Sequence, residues 1–284
     1  MKNSFLLFIL MSLITLSASA QTVNDPVWLT VGQYEVYILN EGGGDAEISL
    51  LIDAPKEVLE KYTPQGTFPI ATNTVLLRKK GEIILIDTGY GQQLFKNLEK
   101  LGITPEEVDC IFLTHMHGDH IGGMLRDDKI AFPNAKVFVS EKERIYWTEA
   151  GNAQVLKVLS TYGEKVTTFN PMAVGSETGD GIQPLAAYGH TPGHAMFLIQ
   201  DSGEQLLIWG DLAHAMAVQM AHPKISVTYD VDPDMARESR QKVLKYVAEE
   251  GIPIAGMHIP TPGTGKVEKD GKGYVFLPGN QKKD

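Results

Sequence analysis

The densest group of metal-capable side chains in this chain lies at His115-Met116-His117-Gly118-Asp119-His120. It directly follows an apolar run, Cys110–Thr114, that has the composition of a buried strand. Because the chain reverses after such a strand, several side chains can reach one point, and imidazole with carboxylate suits zinc, manganese, iron or cobalt. The motif therefore predicts a metal site that needs further donors from elsewhere in the chain.

Three other donors also follow short apolar runs. They are His190 after Gln183–Tyr188, Asp211 after Gln205–Gly210, and His258 after Pro253–Met257. Just past the carboxyl end of a strand is where a sheet can bring together residues that are remote in sequence. Five histidines and two aspartates fit two adjacent cations that share one carboxylate, an arrangement that generates hydroxide near neutral pH and stabilises a developing oxyanion.

With this donor set the chain resembles the metallo-β-lactamase superfamily. The resemblance rests on the His-x-His-x-Asp-His motif, the His-Thr-Pro-Gly-His turn at 190–194, the Gly-Asp pair at 210–211 and the final histidine. It implies that one divalent cation is bound by His115, His117 and His190, that a second is bound by Asp119, His120 and His258, and that Asp211 bridges them. Zinc is the favoured metal, with manganese, iron and cobalt as alternatives.

The elements read from the sequence agree with the fold that this resemblance implies. They predict an α+β protein with two sheets packed face to face and helices outside. The resemblance implies that this is the metallo-β-lactamase-like αββα sandwich of two mixed β-sheets flanked by helices. The predicted strands are Gln33–Leu39, Thr74–Leu77, Glu82–Ile86, Cys110–Thr114, Lys136–Val139, Gln183–Tyr188, Ala195–Gln200 and Gln205–Trp209. The predicted helices are Gln92–Leu101, one starting near Gly122-Gly123, Glu141–Glu149, Ala153–Tyr162 and Pro233–Glu250, with loops at Gly42–Gly44 and Thr261–Gly265.

Weaker motifs narrow the resemblance to one branch, methyl parathion hydrolase and its lactone-hydrolysing relatives. They are Ala131–Ala135, Val218-Gln219 and Gly271–Tyr274, within a similarity that runs from about Thr74 to Pro278. This branch implies a metal-bridging hydroxide that attacks a lactone or ester carbonyl, or the phosphorus of a phosphotriester. Asp119 would bind metal and accept a proton from the bridging water.

Three further residues have a possible role at the site, and for each one an alternative without a catalytic role is left open. His214 stands three residues after the bridging aspartate, where many homoserine lactonases have tyrosine, so it either donates a hydrogen bond to the substrate or only walls the pocket. Trp147 either contacts an acyl chain or aromatic leaving group, or packs between helix and sheet. Asp87, in Ile86-Asp87-Thr88-Gly89, either orients a metal ligand or ends a strand in an ordinary turn.

The amino-terminal segment predicts secretion. Met1–Ala20 combines Lys2, an apolar stretch and a small-residue exit, as a cleavable signal peptide does, which leaves 21–284 as a single hydrolase domain that is expected in the periplasm. No later apolar run is long enough for stable membrane insertion. The single cysteine, Cys110, cannot form an internal disulfide.

Charge and composition bear on the partners. The formal net charge of −10, without a basic stripe, argues against nucleic acid as a partner. The expected partner is a small-molecule lactone, ester or phosphotriester. The family is often dimeric, which makes a homodimer compatible with the chain, although the sequence specifies no interface.

The function expected from these residues is a secreted dinuclear-metal hydrolase that opens lactones or cleaves esters, with phosphotriester cleavage as a side activity. Alternatives are a methyl parathion hydrolase-type organophosphate hydrolase, a metallo-β-lactamase, and a periplasmic metal-binding or sensing protein without turnover. A glyoxalase II-type thioesterase is disfavoured because too few residues follow His258 for its usual helical region.

Overall fold

Two mixed β-sheets form the centre of the protein in a computed structural model that describes residues 25–279. The predicted leader, Met1–Ala20, lies outside the described residues, and the single-domain assignment of 21–284 stays a prediction. Within 25–279, no helix combines the length and apolarity needed to cross a bilayer.

The described chain forms strands in the order β1 (Val27–Val31), β2 (Tyr34–Glu47), β3 (Leu51–Ile52), β4 (Thr67–Lys79), β5 (Glu82–Ile86), β6 (Cys110–Phe112), β7 (Leu125–Arg126), β8 (Lys129–Ile130), β9 (Lys136–Ser140), β10 (Val166–Phe169), β11 (Gly181–Ala186), β12 (Ala195–Asp201), β13 (Glu204–Ile208), β14 (Ser226–Val227), β15 (Ile254–Ala255), β16 (Thr264–Asp270) and β17 (Gly273–Pro278). Its α-helices are α1 (Lys56–Tyr62), α2 (Leu94–Lys100), α3 (Gly118–Ile121), α4 (Glu141–Glu149), α5 (Ala153–Tyr162), α6 (Met216–Ala221) and α7 (Pro233–Glu250). Short 3₁₀ helices occupy Ile48–Leu50, Pro105–Glu107, Gly122–Met124 and Gly163–Lys165.

The first sheet has the strand order β1-β2-β4-β5-β6-β9-β10, and the second has the order β11-β12-β13-β15-β16-β17. Both sheets are mixed: β5, β6, β9 and β10 are parallel neighbours, as are β13 and β15, while the other pairs are antiparallel. Two small ladders, β3 with β14 and β7 with β8, lie outside these sheets.

Three apolar clusters hold four layers together. The inner faces of the two sheets meet in one cluster, in which Ile84 and Ile86 of β5 pack with Phe197 and Ile208 of the second sheet. A second cluster joins the outer face of the first sheet to α2 and α5, and a third joins the outer face of the second sheet to α7. The order is helix, sheet, sheet, helix, which confirms the predicted αββα sandwich.

Strand β5 shows why an unbroken apolar run predicts a buried strand. Its residues alternate between the two faces, so Leu85 joins the outer cluster while Ile84 and Ile86 join the inner one. Both faces of a central strand are covered in a four-layer protein, and an apolar side chain is therefore favoured at every position.

Several element boundaries differ from the sequence-based expectation. The predicted loop at Gly42–Gly44 was wrong, because these residues continue β2 and pair in turn with Thr72, Ala71 and Ile70 of β4. The helix expected near Gly122 begins four residues earlier, at Gly118. Strands β16 and β17 were not predicted, and β16 begins at Thr264, inside the expected loop.

Candidate metal centre

All seven predicted metal donors lie together, in turns that follow strands of both sheets. His115, His117, Asp119 and His120 follow β6 of the first sheet. The other three follow the carboxyl ends of second-sheet strands, with His190 after β11, Asp211 after β13 and His258 after β15. The turns past these strand ends therefore bring together residues up to 143 positions apart, from 115 to 258.

The first donor group consists of three imidazoles and one carboxylate. His117 Nδ1 lies 2.9 Å from His115 Nε2 and 3.0 Å from His190 Nε2. Asp211 Oδ2 lies 3.2 Å from His190 Nε2 and 3.6 Å from His115 Nε2. These four atoms all lie within 4.8 Å of one another, close enough to bind one cation.

The second donor group adjoins the first. Asp119 Oδ2 lies 3.6 Å from His120 Nε2 and 3.5 Å from His258 Nε2. Asp211 faces this group as well, because its Oδ1 lies 3.2 Å from His120 Nε2 and its Oδ2 lies 2.9 Å from His258 Nε2. Within the part of the chain that the structure describes, Asp211 is therefore the carboxylate that contacts both groups.

Two buried atoms at this junction lack hydrogen-bond partners and fit a metal ion. They are His120 Nε2 and Asp211 Oδ1, both without a partner despite their 3.2 Å separation. A buried polar atom without a partner costs about 1–3 kcal/mol, and a cation between a ring nitrogen and a carboxylate oxygen would satisfy both atoms. The residues present therefore fit the two-cation arrangement that the donor set implies.

In three of the donor histidines, the other ring nitrogen is held by a fixed acceptor. His120 Nδ1 lies 2.7 Å from Asp87 Oδ2, and His190 Nδ1 lies 2.9 Å from Asp230 Oδ1. His258 Nδ1 lies 2.8 Å from the carbonyl oxygen of Ala71. A proton donated at Nδ1 leaves Nε2 with its lone pair directed at the cluster, which is the tautomer that binds a metal.

Asp87 supports the His motif from behind. It is fully buried with a positive φ of 60°, and it accepts hydrogen bonds from the backbone N–H of Thr114 at 2.7 Å and the hydroxyl of Thr114 at 2.6 Å. Burial raises the pKa of Asp87, while the adjacent His120 and these hydrogen bonds act to lower it. Of the two sequence-based interpretations, the contacts agree with orientation of His120.

Glu143 of α4 joins the two metal loops, and sequence reasoning missed it. One carboxylate oxygen accepts from the Met116 N–H at 2.9 Å, and the other accepts from the Thr191 hydroxyl at 2.7 Å and the Gly193 N–H at 3.0 Å. Burial raises its pKa, and the hydrogen bonds from its neighbours act in the opposite direction. No local motif marks this residue, since its partners in the two metal loops lie 27 to 50 positions away.

His194 fixes the backbone of the bridging aspartate. Its Nε2 accepts from the Asp211 N–H at 3.1 Å, and its Nδ1 lies 2.9 Å from the Ala187 carbonyl oxygen. Burial lowers the pKa of His194 to about 3, so the ring is neutral and can accept at Nε2. Gly210 has φ +58°, and a Cβ there would lie 2.4 Å from His194 Nε2, so this close approach requires glycine.

The donor histidines differ in how they hold a proton. Burial lowers the pKa of His117 to about 4, with the adjacent His190 acting in the same direction. Burial also acts to lower the pKa of His190, but hydrogen bonds to Asp211 and Asp230 raise it to about 9. Around Asp211, burial opposes ionisation, yet the imidazoles of His120 and His258 hold its pKa well below the usual value.

His214 belongs to the same cluster. Its Nε2 lies 3.3 Å from Asp211 Oδ2, and its ring stacks on His258 with 4.5 Å between centroids. Its Nδ1 is buried without a hydrogen-bond partner, and burial lowers its pKa to about 4. Gln219 holds its backbone by accepting from the His214 N–H at 2.7 Å, so the Val218-Gln219 motif positions this loop.

Trp147 lies beside the cluster. Its indole N–H donates to Glu143 at 2.5 Å, and its ring meets His117 edge to face at 5.3 Å. It packs against the outer apolar cluster of the first sheet and is not among the residues that line the cavity described next. Substrate contact by Trp147 stays a prediction.

A cavity of about 450 Å³ opens over the donors, within the range of about 300–1,000 Å³ that is usual for small-molecule sites. One wall is formed by β2 and β4, and the exposed rings of Tyr90 and Tyr229 stand beside the opening. The floor is formed by His117, Asp119, His190, Asp211, His214 and His258.

Comparison with known proteins gives a family match over most of this region. The family model described as the metallo-beta-lactamase superfamily matches residues 67–258. A crystal structure of AbOPH, a hydrolase in the beta lactamase superfamily, is 29% identical with a TM-score of 0.81, covering 93% of this chain and 100% of that chain. AidC, a dizinc quorum-quenching lactonase in complex with a product, is 26% identical with a TM-score of 0.82, covering 92% of this chain and 99% of that one.

Curated sequence relatives match shorter stretches. The uncharacterized protein YobT of Bacillus subtilis (strain 168) is 30% identical over 154 residues, which are 51% of this chain and 62% of YobT. Ribonuclease Z of Clostridioides difficile (strain 630) is 45% identical over 53 residues, which are 19% of this chain and 17% of that protein. The chain therefore spans less than two thirds of the length of either relative.

Proposed function

The chain belongs to the metallo-β-lactamase superfamily, and we propose that it is a metal-dependent hydrolase whose substrates are acyl lactones, N-acyl homoserine lactones above all, and related esters. One observation carries the proposal, namely that the seven donors form two adjacent groups, both in contact with Asp211, beside a cavity of about 450 Å³. The likeness to AidC at 26% identity over 92% of this chain supports the lactone as substrate class.

The chemistry divides between the bound cations and the side chains. Two divalent cations, with zinc as the proposed metal, would lower the pKa of water to about neutral and polarise the oxygen under attack. His115, His117 and His190 would hold one cation, Asp119, His120 and His258 the other, and Asp211 both. Asp119 also borders the cavity, where its carboxylate can accept the proton that the attacking water loses.

We also propose a role for His214 in contacting the substrate. It borders the cavity beside His190 and His258, and Gln219 holds its backbone in place. A neutral imidazole with a proton on the nitrogen that faces the substrate can donate to the developing oxyanion or to the leaving oxygen. Tyr229, whose ring lies 5.9 Å from that of His214, is the adjacent aromatic residue at the cavity.

A substrate panel on protein of measured metal content tests the proposal. The panel contains N-acyl homoserine lactones, aryl esters, a phosphotriester, a chromogenic cephalosporin and a structured RNA. We expect lactone or ester hydrolysis with the highest kcat/KM, lost on chelation and restored by added zinc. Preference for the cephalosporin or RNA would contradict the proposal, and metal-loaded protein that turns over no member would favour a binding or sensing protein.

Phosphotriester hydrolysis is a weaker candidate, because the motifs that suggested it lie away from the cavity. Phe132 is buried in the outer cluster of the first sheet, and Gly271–Tyr274 lies at the β16–β17 turn. Neither borders the cavity. These residues support kinship of fold and do not favour phosphorus over carbon as the atom attacked.

Secretion is proposed separately, from Met1–Ala20. An apolar leader with a small-residue exit predicts cleavage after Ala20. Mass spectrometry of protein from a periplasmic extract should find an amino terminus at Gln21. Full-length protein confined to the cytoplasmic fraction would contradict this part of the proposal.

A further inference from the structure

One wall of the cavity is a two-stranded ribbon of β2 and β4. The pairing shifts register between Asn40 and Gly42, after which 42–47 pairs with 67–72. Gly44 lies opposite Ile70, and Ala46 lies opposite Phe68. Residues directly opposite each other share a face of the ribbon, so these four residues stand on one side.

This face leads from the cavity into an apolar cluster. Gly44, Ala46 and Ile70 line the cavity. Ala46 and Ile70 also pack with Phe68 and Val218 in a cluster that joins the ribbon to α1 and α6. Among the residues that line the cavity, the carboxylates are those of Asp119 and Asp211, both at the floor. The ribbon wall is therefore an apolar surface that begins beside the reactive centre.

Gly44 leaves open space in this wall although its backbone does not need glycine. A Cβ at Gly44 would meet no atom within 4 Å, and its φ lies outside the left-handed region. The adjacent Gly43 differs, because a Cβ there would lie 2.7 Å from the carbonyl oxygen of Ile70. Glycine at 43 is thus explained by packing, whereas at 44 it keeps volume free in the cavity.

We infer that the ribbon wall is the subsite for a linear apolar chain of the substrate, and that the lack of a side chain at Gly44 sets how bulky that chain can be. The inference rests on the proposed function, because it assigns the acyl part of the same substrate. The carbonyl to be attacked would lie over the donor cluster while the chain runs along Gly44, Ala46 and Ile70.

The inference predicts a dependence on chain length. Each buried methylene strengthens binding by about fourfold, so kcat/KM should rise with acyl length until the wall is covered. In Gly44→Leu the leucine side chain would occupy the same space. The ratio of kcat/KM for decanoyl over butanoyl substrates should then fall by about tenfold or more.

The experiment uses N-acyl homoserine lactones and 4-nitrophenyl esters from butanoyl to decanoyl, with metal content measured for every protein. Gly179→Leu is the matched control, because a Cβ there also meets nothing within 4 Å and the residue does not border the cavity. It should keep the wild-type dependence on length. Ile70→Ala enlarges the cavity beside the wall. It should shift the substrate preference toward longer or branched acyl chains, the opposite of the shift expected for Gly44→Leu.

Binding gives an independent readout. Calorimetry with N-butanoyl to N-decanoyl homoserine should give tighter binding with length in the wild type and a flattened dependence in Gly44→Leu. The subsite is overturned if wild-type affinity does not depend on acyl length, or if folded Gly44→Leu keeps the wild-type dependence. An equal loss of affinity at every acyl length in Gly44→Leu overturns it as well. If Gly44→Leu does not fold, Ile70→Ala decides by the direction of its shift. Absence of turnover with intact length-dependent binding would instead contradict the proposed function and leave the subsite standing.

Discussion

At the scale of single residues, Asp211 organises the site. Its two oxygens lie within 3.6 Å of ring nitrogens from five histidines: His115, His120, His190, His214 and His258. A carboxylate shared among so many donors is what two adjacent cations require of a bridging ligand. The unpartnered Oδ1 of Asp211 and Nε2 of His120 point to the same conclusion.

His214 can be tested by removing its ring. In His214→Ala we expect kcat for a lactone to fall by about a hundredfold with two cations still bound, because one oxyanion donor contributes about 10²–10³ in rate. Steady-state kinetics with elemental analysis measures both quantities. His222→Ala, outside the cavity, is the control and should keep the wild-type rate. Unchanged kcat in metal-loaded His214→Ala would remove the proposed role.

Glu143 is expected to position the metal loops. Glu143→Gln replaces one acceptor oxygen by an amide nitrogen that faces donors in either orientation, Met116 and Trp147 on one side or Thr191 and Gly193 on the other. Leaving buried donors unpaired should lower the free energy of unfolding by about 2 kcal/mol and weaken metal binding by about tenfold or more. Denaturant titration and competition with a metallochromic chelator measure these two effects. Glu149→Gln, exposed on the same helix, should change neither, and wild-type metal affinity in Glu143→Gln would contradict the positioning role.

At the scale of elements, boundaries were predicted best for strands and helices whose own residues mark where they begin and end. Strand β5 and helices α4, α5 and α7 begin and end where the apolar runs and caps predicted them. The metal donors lie together as expected, because each one follows an apolar strand that is recognisable from its own residues.

Features that depend on partners remote in sequence escaped prediction. The glycine run at 42–44 was predicted to be a loop, yet pairing with β4 continues through it although glycine weakens a strand. Asp230 holds His190 from 40 residues away, and no spacing rule marks it. Glu143 was missed for the same reason, since its four donors come from three segments.

Asp201 joins the two sheets at the end of β12. It accepts from the Gln33 N–H at 2.5 Å and pairs with Lys79 of β4 at 3.0 Å, and both contacts lower its pKa. Because the folded pKa is lowered, the stabilisation is present above the unfolded value of about 3.9 and is lost as pH falls through the folded value.

Asp201→Asn should therefore have a lower melting temperature than the wild type at pH 7, and the difference should shrink below about pH 3.9. Thermal unfolding of both proteins across this pH range measures the difference. Asp127→Asn, in an exposed turn with φ 48° that asparagine tolerates, is the control. A difference that stays constant with pH would show that the carboxylate charge does not stabilise the fold.

At the scale of the whole molecule, the proposed cations would join the two sheets. Four donors follow the first sheet and three follow the second, so neither half holds a complete site. Binding free energy at such a site becomes folding free energy. At a free metal concentration of about 1,000 times Kd, the stabilisation is about 4 kcal/mol.

Chelation should consequently lower the melting temperature of the wild type, and added zinc should restore it. Asp211→Asn, which loses the charge of the shared carboxylate, should melt at a temperature that responds little to chelator. Thermal unfolding with and without chelator measures this coupling. Equal responses of the two proteins would contradict a bridging role for Asp211.

Anomalous X-ray diffraction from crystals of the zinc-loaded protein tests the central claim most directly. The account predicts two anomalous peaks on either side of Asp211, one among His115, His117 and His190, and the other among Asp119, His120 and His258. A single peak, or two peaks that Asp211 does not bridge, would contradict it.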